Sequence, residues 1–221
     1  MATLSIVVPC CPRPGLTLTD TINNIRHGGF RELHLSLEPD CTWAETAPDD
    51  FGLCVRQNDF KYGFLTHGMI CWKWIYETTE SDYLMMVEND VRFAHSAASR
   101  LHTLFNREAE RSLGFISLFT PDMTTYSQVH PSQIVDGWAD QRVGYGAEAG
   151  QCICLRREIL GRMIRNFDFL PVDWYIGRYC KDNDLPCWHA YPSMAEHISE
   201  FSVRQGTAWI AHKGLNYKDE A

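Results

Sequence analysis

Short runs rich in apolar residues alternate along the chain with longer stretches of helical character. The short runs predict strands at residues 3–9, 32–37, 52–56, 83–87, 114–120 and 186–191. The longer stretches predict helices at residues 16–27, 64–79, 94–111, 156–166 and 172–181. Because the chain opens as strand, helix and strand, it predicts a parallel α/β sheet flanked by helices.

Two segments lack this regularity. Residues 121–140 are polar and carry many turn residues, which predicts a long active-site loop. Residues 200–221 form a polar tail that we expect to wrap the surface. The sequence contains no internal repeat, low-complexity tract or linker, so we expect one domain across residues 1–221.

The most informative polar residues follow the buried run Tyr83–Val87. Glu88 and Asp90 come directly after it, with Asn89 between them. Residues i and i+2 of a strand share a face, and open α/β sheets bind ligands outside the carboxyl ends of their strands. Two such carboxylates repel unless a cation or proton lies between them, and oxygen ligands suit Mg²⁺ or Mn²⁺. The alternative is a strand end with two solvated acids.

Composition and charge limit the partners. Hydrophobic residues make up 45% of the 221 residues, enough for a sizeable core, and the formal net charge is −8. That charge argues against a general polyanion binder, although arginines gather in residues 92–111 and 156–165. If these two helices share a face, they could follow a phosphate backbone. The alternative is two solvated helix faces partnered by glutamates.

Nothing in the sequence predicts export or a membrane anchor. No stretch approaches the ~20 apolar residues of a membrane span, and the N-terminus lacks a basic signal-peptide region. The nine cysteines are odd in number and include no CxxC pair. Several lie in apolar surroundings, which favours buried thiols in a reducing cytoplasm over a set of disulfides. We therefore expect a cytoplasmic protein.

The order of the motifs resembles that of nucleotide-sugar glycosyltransferases with the GT-A fold. The first strand ends in Val-Val-Pro and enters a Pro-Arg loop, and the second strand ends in acids. Asn58 and Gly63 precede a helix and then the strand that carries the acidic pair. A glycine-containing segment at 144–150, Asp173 at a helix start and PSMAEH at 192–197 follow. The resemblance covers about residues 3–203.

The resemblance implies one GT-A-like, Rossmann-type domain with a mostly parallel central sheet flanked by helices. Residues 1–92 would form its nucleotide-sugar half, residues 93–203 its acceptor half, and residues 204–221 a polar tail.

The resemblance also implies a divalent cation, Mn²⁺ or Mg²⁺. The last acid of the strand-end motif, Asp90, would bind it directly, and His197 of PSMAEH would be the second ligand. The first acid is Glu88 where aspartate is commoner in the family, and it would face the ribose or a metal-bound water. The alternative for His197 is a surface histidine at a strand exit.

Further residues are candidates for binding the donor nucleotide. Arg13 in the first loop could give the phosphates a bidentate contact, or it could be solvated. Glu38 or Asp40, at the end of the second strand, is placed to accept hydrogen bonds from the base or ribose. Asn58 completes this set. The preference for a uridine-type donor comes from the resemblance alone.

Asp173 is the candidate general base. The resemblance places an acid at the start of the helix after the glycine-containing segment, where an inverting transfer needs a carboxylate near the acceptor hydroxyl. Aspartate is also an ordinary residue at a helix N-terminus, and retaining chemistry would need no such base. The nearby aromatic residues could stack on sugars or pack in the core: Trp138, Tyr145, Trp174 and Tyr175.

These features predict a metal-dependent glycosyltransferase that uses a nucleotide sugar and a hydroxyl acceptor. The acceptor could be a glycan, a small molecule or a hydroxymethylated DNA base. One alternative is a nucleotidyltransferase, although the loop CCPRPG lacks the glycine-rich, lysine-bearing phosphate loop that we would expect in one. Another is a non-catalytic module that binds a nucleotide or glycan. The joint presence of Asp90, Asp173 and His197 favours an enzyme.

Overall fold

Strands and helices alternate through most of the chain. The structure is a computed structural model that describes residues 2–12, 15–41, 52–108, 113–120, 134–140, 152–165, 172–198, 201–204, 207–210 and 217. The strands are β1 Leu4–Cys10, β2 Glu32–Leu37, β3 Gly52–Gln57, β4 Tyr83–Val87, β5 Val91–Phe93, β6 Phe115–Ser117, β7 Ile134–Val135, β8 Trp138–Asp140, β9 Cys152–Arg156, β10 Cys187–Ala190, β11 Ala195–His197, β12 Phe201–Arg204 and β13 Thr207–Ile210. The helices are α1 Leu18–His27, α2 Gly63–Thr78, α3 Ala97–Arg107, α4 Arg157–Ile164 and α5 Val172–Asp182.

A nine-stranded sheet in the order β3-β2-β1-β4-β9-β6-β10-β8-β7 organises the fold. The first four strands pair in parallel. Since β9 is antiparallel to both β4 and β6, the strands β4 and β6 run the same way, and β10 is parallel to β6. Strand β8 is antiparallel to β10, and β7 is antiparallel to β8. Only β8 and β9 therefore oppose the rest, which confirms the mostly parallel sheet.

Helices cover both faces of this sheet, and β4 shows why its sequence is apolar throughout. Tyr83, Met85 and Val87 belong to the core under α1 and α3. Leu84 and Met86 point the other way, into the core under α2, α4 and α5. A strand buried on both faces has no polar position to alternate with, so its hydrophobic run is unbroken. Burial continues beyond the strand into the acidic turn, where Asp90 is fully buried.

Helix α1 is fixed at both ends. Thr17 and Asp20 form a capping box at its start, and the hydrogen bonds from Thr17 lower the pKa of the Asp20 carboxyl. At its end, a Cβ on Gly28 would lie 2.6 Å from the Cβ of Phe93, so only glycine allows this approach. Strand β5, which contains Phe93, is thereby held against α1 directly after the acidic turn.

Several short elements differ from the predictions. The prediction of a long loop at residues 121–140 is wrong for residues 134–140, where β7 and β8 form a hairpin. Its turn residues, Asp136 and Gly137, have positive φ angles of 51° and 77°, as an Asp-Gly hairpin turn requires. The polar tail contains the antiparallel pair β12 and β13. The division of the chain at residues 92 and 203 stays a prediction, and strands from both halves join the one sheet.

The cysteines are free thiols, as the sequence predicts. None of the nine forms a disulfide, and all but Cys54 are buried or half-buried. Within the described ranges, no helix is both long and apolar enough to cross a membrane.

Candidate active site

Three neighbouring strands end at the same level. Cys10, the last residue of β1, pairs with Leu37, the last of β2, which pairs with Gln57, the last of β3. The next residues along the chain are Cys11, Glu38 and Asn58. The backbone ladder continues one step further, since the Glu38 amide donates to the Cys10 carbonyl and the Asn58 amide to the Leu37 carbonyl. Three polar side chains therefore share the carboxyl edge of the sheet.

The acidic pair lies at the same edge. After β4, residues 88–90 turn into β5 instead of continuing the strand. The side-chain amide of Asn89 donates to the Cys11 backbone carbonyl at 2.9 Å, and the Thr21 hydroxyl donates to the Asn89 backbone carbonyl at 2.9 Å. These bonds tie the turn to β1 and α1. The carboxylates of Glu88 and Asp90 converge through this turn, and not through the pleat of a continuing strand on which the prediction was based.

Strand pairing brings His197 to the acidic turn from more than 100 residues away. Strand β11 is antiparallel to β5, with His197 opposite Val91, and the Ile198 amide donates to the Asp90 carbonyl at 2.9 Å. The imidazole Nε2 lies 2.9 Å from Asp90 Oδ2 and 3.7 Å from Glu88 Oε2. One potential ligand atom from each of the three side chains lies within 4.8 Å of the others, and all three side chains are largely buried.

The carboxylates control the protonation of His197. Burial lowers the pKa of its imidazole, but hydrogen bonds and charge from Asp90 and Glu88 outweigh burial and raise the pKa to about 9. The imidazole of His197 is therefore protonated at neutral pH and offsets part of the negative charge of the two carboxylates. A divalent cation that binds here must displace this proton, because a ligating imidazole is neutral.

A second polar cluster forms where α2 packs against the strand ends. His67 Nδ1 lies 3.5 Å from Glu38 Oε1 and 3.8 Å from Cys11 Sγ. Its Nε2 lies 3.0 Å from the Ser36 hydroxyl and 3.2 Å from the Asn58 amide nitrogen. Burial lowers the pKa of His67 to about 4, so its imidazole is neutral at physiological pH.

Of the other predicted site residues, one is exposed, one is buried and one lies outside the described residues. Asp40 lies at the surface, where its carboxylate is 3.3 Å from the Lys61 ammonium. Asp173 is buried in the first turn of α5. A Cβ on Gly68 would lie 3.8 Å from both Met86 and Val172, so the start of α5 packs near the carboxyl end of β4. Arg13 lies outside the described residues.

The aromatic residues that could stack on a sugar differ in how far they are buried. Trp138 is buried in the core below α1 and α3, and Tyr175 packs at the edge of the opposite core. Trp174 is 52% exposed, which leaves its ring accessible to a ligand. Tyr145 lies outside the described residues.

His67 and Cys11 were not among the predicted site residues. A signal was available for both, because Cys11 directly follows a predicted strand and His67 lies in the second turn of the helix that follows Asn58. Neither position is informative until the helix is packed on the sheet. That packing is what brings His67 to Glu38 and Cys11.

A cleft of about 780 Å³ opens at the opposite edge of the sheet. It is lined by Tyr83 at the start of β4, by Asp82 and by the adjacent Arg156 and Arg157. Ligands of open α/β sheets bind at the carboxyl ends of the strands, so this cleft is not the candidate active site.

Comparison with known proteins identifies the fold. No protein-family model matches the sequence, and no curated protein matches it. A crystal structure of S. aureus TarS matches at a TM-score of 0.58 and 13% identity, over 85% of this chain and 60% of that one. Another TarS structure, in complex with UDP-GlcNAc, matches at a TM-score of 0.57. The chain thus spans about 60% of the TarS structure.

Two further structures share the architecture. A mannosyltransferase from Pyrobaculum calidifontis, in complex with GDP-Man and Mn²⁺, matches at a TM-score of 0.52 and 15% identity, over 73% of this chain and 46% of that one. A nucleotidyl transferase from Methanothermobacter matches at a TM-score of 0.52 and 13% identity, over 85% of this chain and 87% of that one. Likenesses at such identities establish the fold alone, which is GT-A-like and Rossmann-type.

Proposed function

We propose that the chain is a metal-dependent glycosyltransferase that moves a sugar from a nucleotide-sugar donor to a hydroxyl acceptor. The observation that carries the proposal is the convergence of Glu88, Asp90 and His197 at the carboxyl end of β4. A TarS structure with UDP-GlcNAc and a mannosyltransferase with GDP-Man and Mn²⁺ share the fold, which supports it.

Asp90 and His197 would hold Mn²⁺ or Mg²⁺, with Glu88 beside them. The donor set fits such a cation, since two carboxylates and one imidazole are gathered in a buried cluster. When bound, the cation acts as a Lewis acid that stabilises the added negative charge of a leaving nucleoside diphosphate.

Glu38 and Asn58 would bind the nucleotide part of the donor. Both lie at the carboxyl edge of the sheet and are almost fully buried, so their polar groups are held in fixed positions. Glu38 suits this role better than Asp40, whose exposed carboxylate faces Lys61. A carboxylate there would accept hydrogen bonds from ribose hydroxyls or the base. Arg13 stays a candidate for the phosphates, and the donor would be of the uridine type.

Asp173 would remove the proton from the acceptor hydroxyl in an inverting transfer. The packing of Val172 near Met86 supports this role, because it brings the start of α5 close to the end of β4. Exposed Trp174, the next residue, would offer a ring to the acceptor sugar.

The acceptor would be a glycan or small molecule, or else a hydroxymethylated DNA base. Several arginines of residues 92–111 and 156–165 are engaged within the chain. Arg92 lies 3.0 Å from Glu196, Arg107 lies 2.9 Å from Glu108, and the Arg157 guanidinium contacts the Tyr76 carbonyl and ring. These contacts favour a structural role for the arginines over backbone binding, so we rank DNA second.

Nucleotidyl transfer is the second candidate. The Methanothermobacter nucleotidyl transferase matches over 87% of its own length, and acids at this edge of the sheet would serve either reaction. The loop after β1 carries no lysine and one glycine, which argues against nucleotidyl transfer.

The donor is identified by metal-dependent stabilisation. We expect UDP with Mn²⁺ to raise the melting temperature more than GDP, CDP or ADP, because a ligand that binds only the folded state stabilises it. At a hundredfold excess over Kd the gain is ~2.7 kcal/mol. Differential scanning fluorimetry with each diphosphate, with Mn²⁺ or with EDTA, measures it. A purine preference would overturn the uridine assignment, and equal stabilisation in EDTA would overturn the metal dependence.

A further inference from the structure

We infer that Cys11, Glu38 and His67 form a second cation site, selective for Zn²⁺ and distinct from the Glu88–Asp90–His197 cluster. The inference concerns metal binding by the chain alone. Because Glu38 is also proposed to bind the donor nucleotide, Zn²⁺ and the nucleotide would compete for its carboxylate. The three side chains come from the ends of β1 and β2 and from the second turn of α2.

The distances between the ligand atoms fit a tetrahedral site. With Zn–S of ~2.3 Å and Zn–N or Zn–O of ~2.05 Å, tetrahedral edges measure about 3.6 Å for sulfur to nitrogen and about 3.3 Å for nitrogen to oxygen. Cys11 Sγ lies 3.8 Å from His67 Nδ1, and Glu38 Oε1 lies 3.5 Å from the same nitrogen. All three ligand atoms lie within 4.8 Å of one another. The sulfur–nitrogen and nitrogen–oxygen distances therefore each exceed the tetrahedral edge by only about 0.2 Å.

Outer contacts orient the imidazole for this purpose. A metal-ligating histidine usually donates its other ring N–H to a fixed acceptor. The Nε2 of His67 faces away from the cluster and lies 3.0 Å from the Ser36 hydroxyl, which can accept that proton. Nδ1 then carries no proton and is available as a ligand.

The Glu38 carboxylate gives an independent indication. Its side chain is 1% exposed, and its Oε1 makes no hydrogen bond with the described residues. That oxygen faces the cluster, 3.5 Å from His67 Nδ1. A cation held between the three side chains would give this buried oxygen a partner.

The ligand types select the ion. Thiolate and imidazole favour Zn²⁺, whereas carboxylate-rich sites suit Mg²⁺ and Mn²⁺. The described residues thus offer a sulfur-containing cluster and a sulfur-free one at the same edge of the sheet. Three protein ligands would leave a fourth position open for water or another ligand.

Cobalt substitution tests the site, since Co²⁺ replaces Zn²⁺ and a cobalt–thiolate bond absorbs in the near ultraviolet. We expect the full chain, stripped of metal and titrated with Co²⁺, to develop this charge-transfer band, and Zn²⁺ to abolish it at one equivalent. The Glu88–Asp90–His197 cluster contains no sulfur and cannot produce the band. No band in the folded wild-type protein would overturn the inference.

Variants assign the band to its ligands. Cys11→Ser should remove it and weaken Zn²⁺ binding by at least ~10-fold, because a hydroxyl is a poor substitute for thiolate. Cys54→Ser is the matched control, an exposed cysteine on β3, and should retain the band. Glu38→Gln should keep the band but weaken Zn²⁺ binding, which provides a second reading if Cys11→Ser does not fold. A band that survives in Cys11→Ser would contradict the assignment.

Discussion

Replacing Asp90 with asparagine is expected to abolish Mn²⁺-dependent binding of the nucleoside diphosphate and leave the fold intact. Asp90 is fully buried with its carboxylate 2.9 Å from His197 Nε2, so asparagine keeps the volume but removes the charge that attracts the cation. The loss should exceed the ~10- to 100-fold that removal of an outer-shell partner costs in metal affinity. Removing the carboxylate also lowers the pKa of His197, which can then become neutral instead of remaining as a poorly paired buried cation.

Isothermal titration calorimetry of UDP in Mn²⁺ and in EDTA measures this effect. Glu196→Gln is the matched control, because Glu196 neighbours His197 on β11 but pairs with Arg92. We expect this control to bind as the wild type does, and circular dichroism to show that both variants fold. Metal-dependent binding that persists in Asp90→Asn would remove the cation site from the proposal.

Replacing Asp173 with asparagine is expected to lower turnover by ~10²- to 10⁴-fold, the contribution of a positioned general base. Donor and Mn²⁺ should still bind, because the change leaves the Asp90 cluster untouched. Asparagine keeps the size of aspartate, so stability should fall by only the ~0.3–1 kcal/mol that a negative charge contributes in the first turn of a helix. Initial rates at saturating donor, together with calorimetric donor binding, separate the two effects.

Asp182→Asn provides the comparison for that variant. Asp182 lies at the other end of α5 and forms an exposed pair with Arg178, so its replacement should leave turnover unchanged. Near-normal turnover in Asp173→Asn would reduce Asp173 to a helix-terminal residue. Retention of configuration at the anomeric carbon of the product would likewise remove the need for a base.

The sheet was largely predictable because its strands have strong local patterns. Strands β2 and β4 begin and end where the sequence predicts. Strand β4 is marked by an unbroken apolar run, and β2 by leucines that alternate with polar residues. The strands β5, β7 and β11 were not predicted. They have only two or three residues each, too few for a periodic signal, and they form because distant partners supply their hydrogen bonds.

The candidate site was partly predictable for the same reason. Glu88 and Asp90 can be recognised in the sequence because they directly follow an apolar run. Recognising them requires no knowledge of how the elements pack. His197 came from the family resemblance, and its approach to Asp90 depends on the pairing of β11 with β5. His67 and Cys11 could not be paired from sequence, because their contact arises from the packing of α2 over the strand ends.

The central claim is tested most directly by determining which bond the protein breaks, the sugar–phosphate bond of a UDP-sugar or the bond that releases pyrophosphate from UTP. The protein with Mn²⁺ would be incubated with UDP-sugars and, separately, with UTP and a sugar 1-phosphate, and products followed by phosphorus-31 nuclear magnetic resonance. Our account predicts release of UDP from a UDP-sugar with transfer to water or an acceptor, dependent on Mn²⁺ and lost in EDTA and in Asp90→Asn. Release of pyrophosphate from UTP, with no UDP formed from any UDP-sugar, would contradict it.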